Sequence, residues 1–180
     1  MRDIPTIHYL DRIVDRIANY TGQEVIIMSK QMGMVPYSIA KNHYGRVRLI
    51  DRVGLVSKDF ISCPITSDLP RTREGLDMSY DYYFNNLISL KAKCNVQVPD
   101  IIFDLFDPPE TVIENGYTVL YYQHGDVNSS FKYLRGGPFN DKQWIAVRND
   151  LLPAFIDFDK VEIDLSQSQL PQRKQSGGIW

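Results

Sequence analysis

The chain has 180 residues, a formal net charge of −2, 43% hydrophobic residues and 23% charged residues, which is the balance of a globular protein with a sizeable core. No apolar run approaches the roughly 18 residues needed to span a bilayer, and Met1–Leu10 lacks the basic start and apolar centre of a secretory leader, so a soluble, non-secreted protein is expected. The two cysteines, Cys63 and Cys94, have no CxxC spacing and no histidine at ligand spacing, which argues for reduced thiols and against a structural zinc site.

The first element is an amphipathic helix over Thr6–Tyr20. Ile7, Leu10, Ile13, Val14 and Ile17 recur at steps of three and four, Pro5 suits the first turn, and Gly22 is placed to cap the end. Val25–Met28 reads as a buried strand. From Gln31 to Ser67 short strands separated by turns are expected, at Arg46–Ile50, Val53–Val56 and Phe60–Ile65. After a polar connection, Asp77 or Ser79 caps one helix to Lys93, with Tyr80, Tyr83, Phe84, Leu87, Ile88 and Leu90 as its core stripe.

Val98–Phe106 is ambiguous between strand and short helix, and Asp107-Pro108-Pro109 ends it. Asn115-Gly116 between Thr111–Glu114 and Tyr117–Tyr122 predicts a hairpin, with a further strand at Ser130–Leu134. Asn140 caps a predicted helix through Leu152, stopped by Pro153. In a last strand Phe158, Val161, Ile163 and Leu165 point one way past the Asp159-Lys160 kink, while Glu162 and Asp164 point the other. The sum is an α+β domain over 1–165 with a mixed or antiparallel sheet and about three helices.

Charge is segregated along the chain. Lys41–Lys93 carries nine basic and six acidic residues, whereas Gln97–Leu165 carries five basic and twelve acidic ones. A protomer with one basic and one acidic face suits head-to-tail docking, because heterologous contacts build rings. Eleven tyrosines point the same way, since tyrosine is enriched at interfaces. The net charge is wrong for a nucleic-acid binder, although His43-Tyr44-Gly45-Arg46-Val47-Arg48 interleaves basic and aromatic groups as single-strand binders do.

No catalytic, cofactor or metal motif is complete. Asp100, Asp104, Asp107 and Glu110 lack the spacing of a calcium loop and read as solvated strand ends and caps. Pro99-Asp100 has no acidic-x-Lys partner downstream, so it makes no nuclease signature. His8, His43 and His124 fall on different predicted elements, with His124 beside Gly125-Asp126 at a strand end. Gly136-Gly137-Pro138 is no phosphate loop, and Ser129 and Ser130 stand in no nucleophile elbow.

Ser166–Trp180 (SQSQLPQRKQSGGIW) buries too little apolar surface to offset a backbone ordering cost of roughly 1 to 2 kcal/mol per residue. It reads as an extended arm held by a neighbour, through the polar and basic Gln172, Arg173 and Lys174 and the apolar anchors Ile179 and Trp180.

The N-terminal helix Thr6–Tyr20, the strand-rich middle, the Asn115-Gly116 hairpin and the arm Ser166–Trp180 together resemble the small neck or tail proteins of bacteriophage virions. The resemblance is architectural and carries over no functional residue. It implies a ring or clamp subunit, assembled in the host cytoplasm into a virion, whose termini reach onto neighbours. The expected function is thus a non-enzymatic structural subunit without cofactor. Two alternatives stand beside it: a small metal-dependent enzyme acting on phosphoesters or nucleic acid through Asp100, Asp104 and His124, and a cytosolic immunity-type module that neutralises one basic partner.

Overall fold

The 3.6-residue periodicity of the N-terminal segment is realised as helix α1, Pro5–Thr21, whose stripe of Leu10, Ile13, Val14 and Ile17 is fully buried. Each such aliphatic side chain contributes about 1.5 to 3 kcal/mol relative to exposure. The helix stops where Gly22 takes a positive φ of 66° and donates its N–H to the Ala18 carbonyl at 2.9 Å. The chain then enters strand β1, Val25–Ser29.

The computed structural model describes residues 5–29, 34–51, 80–94, 96–105, 110–124, 143–156 and 161–164. After β1 come α2 (Met34–Asn42), β2 (Val47–Asp51), α3 (Tyr80–Asn85), α4 (Leu87–Cys94), β3 (Ile101–Leu105) and α5 (Glu110–Glu114). They are followed by β4 (Tyr117–His124), β5 (Gln143–Arg148), a 3₁₀ helix (Asn149–Phe155) and β6 (Val161–Asp164). The class is α+β, as expected. The sheet is mixed, with order β2-β1-β3-β5-β4-β6. Strands β1, β2 and β3 run parallel, β5 is antiparallel to both β3 and β4, and β6 is parallel to β4.

Both faces of the sheet are covered. On one, α1, α2 and the 3₁₀ helix pack Leu10, Ile13, Ile39, Leu151 and Phe155 against Val25, Ile27, Ile101, Phe103 and Ile145. On the other, α3, α4 and α5 set Tyr80, Tyr83, Leu90 and Val112 against Met28, Ile50, Ile102, Trp144 and Ala146. Double coverage explains why β1 and β5 read as continuous apolar runs rather than alternating ones. In β4 an irregularity between Val119 and Tyr121 puts the consecutive Leu120 and Tyr121 on the α1 face, while Val119 and Tyr122 face α3.

Several expectations are corrected. Thr111–Glu114 is helical, so Asn115-Gly116 turns a helix into β4 and makes no hairpin; Gly116 has φ 84° and donates to the Ile113 carbonyl. Gln143–Arg148 is a buried strand, not a helix, because its apolar residues meet a helical layer on each side. Pro153 lies inside the 3₁₀ helix rather than ending an α-helix. Within the predicted strand-rich stretch, Met34–Asn42 is a helix; Pro36 falls in its first turn, where a missing N–H breaks no bond. The single helix expected to Lys93 is two, divided at Asn86. The described residues hold five α-helices and one 3₁₀ helix, where about three were expected. The strands expected at Val53–Val56, Phe60–Ile65 and Ser130–Leu134 lie outside the described residues.

Candidate functional site

Strand β1 lies between β2 and β3, so successive connections leave it in opposite directions. A switch of this kind opens a crevice at the carboxyl ends of parallel strands, where ligands bind in open α/β sheets. Here each of the three strands carries a buried polar side chain at that end: Ser29 on β1, Asp51 on β2 and Asp104 on β3. In register, Ser29 lies beside Asp51 and Phe103, on the α1 side of the sheet. Asp104 faces the α3 side, paired with Trp144.

Around Asp104 the geometry is tight. The Tyr80 hydroxyl donates to Asp104 Oδ2 at 2.6 Å, and the Tyr80 and Trp144 rings stand 6.0 Å apart. Trp144 Nε1 is fully buried without a hydrogen-bond partner among the described residues. On the α1 side of the same edge, the Thr6 hydroxyl donates to Gln143 Oε1 at 2.6 Å and lies 3.1 Å from the Tyr121 hydroxyl. Burial pushes the Tyr121 phenol upward, with the Thr6 bond drawing it partly back, so the group stays a neutral donor.

At the opposite edge the centre is Asp100. Its Oδ2 accepts the Ile26 N–H at 2.8 Å and its Oδ1 lies 3.2 Å from the Arg148 guanidinium, which also reaches Asp150 at 2.6 Å. Burial raises the Asp100 carboxyl above its ordinary range, against the pull of the Ile26 N–H and Arg148. A cavity of about 450 Å³ opens beside this group, lined by Gln23, Glu24, Lys91 and Gln97 among others. The Tyr83 and Tyr117 hydroxyls donate to the Gln97 and Pro99 carbonyls at 2.9 and 2.7 Å. Both phenols are pushed well above their ordinary value, chiefly by burial.

The sequence-predicted residues are therefore not assembled into one cleft. Asp100 and Asp104 sit at opposite ends of β3, about 13 Å apart at a rise of about 3.3 Å per residue. His124 closes β4 at the edge of Asp104, with β5 between the two strands. Both aspartates were expected to be solvated and both are buried, because backbone N–H, guanidinium and phenol groups supply their hydrogen bonds. Glu110 is exposed and opens α5; Asp107 lies outside the described residues. Among the described residues, no three His, Cys, Asp or Glu side chains are grouped to hold a metal ion.

His43 and Arg46 are engaged by the helix below them. His43 Nε2 lies 2.9 Å from Asp11 Oδ1, and Arg46 reaches Asp15 at 3.4 Å and Asn19 at 3.2 Å. These contacts tie the turn after α2 to α1, and Tyr44 is the most exposed aromatic side chain of the run. Three tyrosines on the α1–α2 layer face solvent: Tyr20 at 55%, Tyr37 at 68% and Tyr44 at 90% exposure. The tyrosine count alone does not show this surface, because the exposure of Tyr37 and Tyr44 depends on Met34–Asn42 being helical rather than a strand. Gln172, Arg173, Lys174, Ile179 and Trp180 lie outside the described residues.

Compared with protein-family models, curated proteins and solved structures, the chain matches none. No helix among the described residues is long and apolar enough to cross a membrane.

Proposed function

We propose that this chain is a structural subunit of a large multi-protein assembly, with a bacteriophage neck or tail as the setting. One observation carries the reading: Tyr20 on α1, Tyr37 on α2 and Tyr44 in the turn after α2 are exposed, whereas on α3 of the opposite layer Tyr80 and Tyr83 are buried and Tyr82 is half-buried. Tyrosine supplies large contact area at low entropic cost and is concentrated at the cores of interfaces. In this proposal the α1–α2 layer is a contact surface, and the arm Ser166–Trp180 clips onto an adjacent chain through Ile179 and Trp180.

Size-exclusion chromatography of the extract in which the chain is made, followed by immunodetection, tests it. The chain should elute in a large species; Tyr37→Ser with Tyr44→Ser, and a chain ending at Leu165, should each move toward the monomer volume. Unchanged elution of both overturns the reading.

The buried polar set at the carboxyl edge favours a second reading, a small enzyme acting on phosphoesters. Its specific support is the Trp144 N–H beside Asp104, which has no partner among the described residues, because an unpaired buried donor costs about 1 to 3 kcal/mol unless something meets it. Release of nitrophenol from bis(p-nitrophenyl) phosphate with added Mg²⁺ or Mn²⁺, abolished by Asp104→Asn, would establish it. An equal rate for that variant removes it.

A further inference from the structure

The two helical layers present complementary surfaces. On α2, Tyr37 and Lys41 stand one turn apart on one side of the helix, Tyr44 follows in the turn after it, and all three are exposed. On the opposite side of the sheet, α5 buries Val112 and turns Glu110, Ile113 and Glu114 outward, with Ile113 at 53% exposure. Asp81 of α3, which accepts a hydrogen bond from Thr111, extends that acidic surface. One layer thus offers a cation and two exposed aromatic rings; the other offers an exposed aliphatic side chain and carboxylates.

We infer that these surfaces dock on each other in successive copies of the chain, Tyr37, Lys41 and Tyr44 of one against Glu110, Ile113 and Glu114 of the next. The inference rests on the assembly reading and names its partner as a second copy. Both complements are present in one chain, so identical chains can satisfy each other. They lie on opposite layers, so the contact is heterologous and propagates head to tail into a ring or a filament, rather than closing as an isologous dimer. Charge agrees locally: Lys41 carries a positive charge on one surface, and Glu110, Glu114 and Asp81 carry negative charge on the other. Ile113 between the two tyrosine rings supplies apolar burial, and Lys41 against Glu110 and Glu114 fixes register.

Sedimentation velocity of the full chain tests this. The wild type should associate at low salt and weaken between about 50 and 500 mM salt. Lys41→Glu and Glu114→Lys should each weaken association about tenfold, and the double reversal should recover most of it, since opposite charges again face each other between copies. Both residues are exposed, and unchanged thermal melts would confirm that the fold is intact. Two results overturn the inference: a wild type that stays monomeric up to its solubility limit, or association that neither reversal weakens. In the second case the chain assembles through another surface and the assembly reading stands; in the first, the extract chromatography decides that reading separately.

Discussion

Asp100 joins three strands with one side chain and its backbone. Its carboxylate accepts from Ile26 and pairs with Arg148, its N–H donates to the Ile26 carbonyl, and its own carbonyl accepts the Arg148 N–H at 3.0 Å. Burial raises its folded-state pKa above the unfolded value. The folded state therefore holds more protons than the unfolded chain between the two values, and stability falls as pH rises across that window. Asp100→Asn keeps an acceptor for Ile26 but cannot titrate. Urea denaturation at stepped pH should show the wild type losing stability relative to this variant as pH rises from about 4; a difference rising with pH would contradict the assignment. At the other edge, Tyr80→Phe deletes the phenol that donates to Asp104, and a bond to a carboxylate is worth about 1.5 to 3 kcal/mol. The same denaturation experiment should find a loss in that range, with no loss showing that the bond contributes nothing net.

At the scale of elements, what the sequence reveals depends on how far each pattern is decided locally. Helix α1 was legible to within a residue at each end, because apolar periodicity, Pro5 and Gly22 all act within the segment itself. Strands β1 and β2 were legible from β-branched runs bounded by turns. Gln143–Arg148 was not: Trp144, Ile145 and Arg148 fit helical spacing, and only helices on both sides of the sheet make that apolar run a buried strand. The Asn115-Gly116 pair predicts a hairpin because it tolerates positive φ, yet the same tolerance serves the end of α5. Gly116 has φ 84° and open space where a side chain would project. Gly116→Ala should therefore cost about 1 to 2 kcal/mol from backbone strain alone; an unchanged melting temperature would show that the turn relaxes freely. Leu10 tests the helix itself: it is fully buried beneath the sheet, and Leu10→Ala should cost about 2 to 5 kcal/mol in equilibrium unfolding.

For the whole molecule, the candidate sites were less legible than the fold because they depend on contacts distant in sequence. The acidic series was visible in the sequence, but its division between opposite ends of β3, and the burial of Asp100 and Asp104, required Arg148, Ile26 and Tyr80 to be brought in from elsewhere. The basic run around His43 lost its apparent availability to Asp11, Asp15 and Asn19 of α1. Among the described residues, exposed tyrosines stand on the α1–α2 layer, and exposed Asp81, Ile88, Glu110, Ile113 and Glu114 on the other; the proposal is that both surfaces meet neighbours. The most direct measurement of that claim places a photoreactive phenylalanine analogue at position 44, where the native ring is 90% exposed, and irradiates the cells that make the chain. Assembly through the α1–α2 layer predicts covalent adducts to a neighbouring subunit, with adducts between copies of this chain among them. Irradiation that leaves the chain uncrosslinked, while it is folded and assembled, would contradict the account.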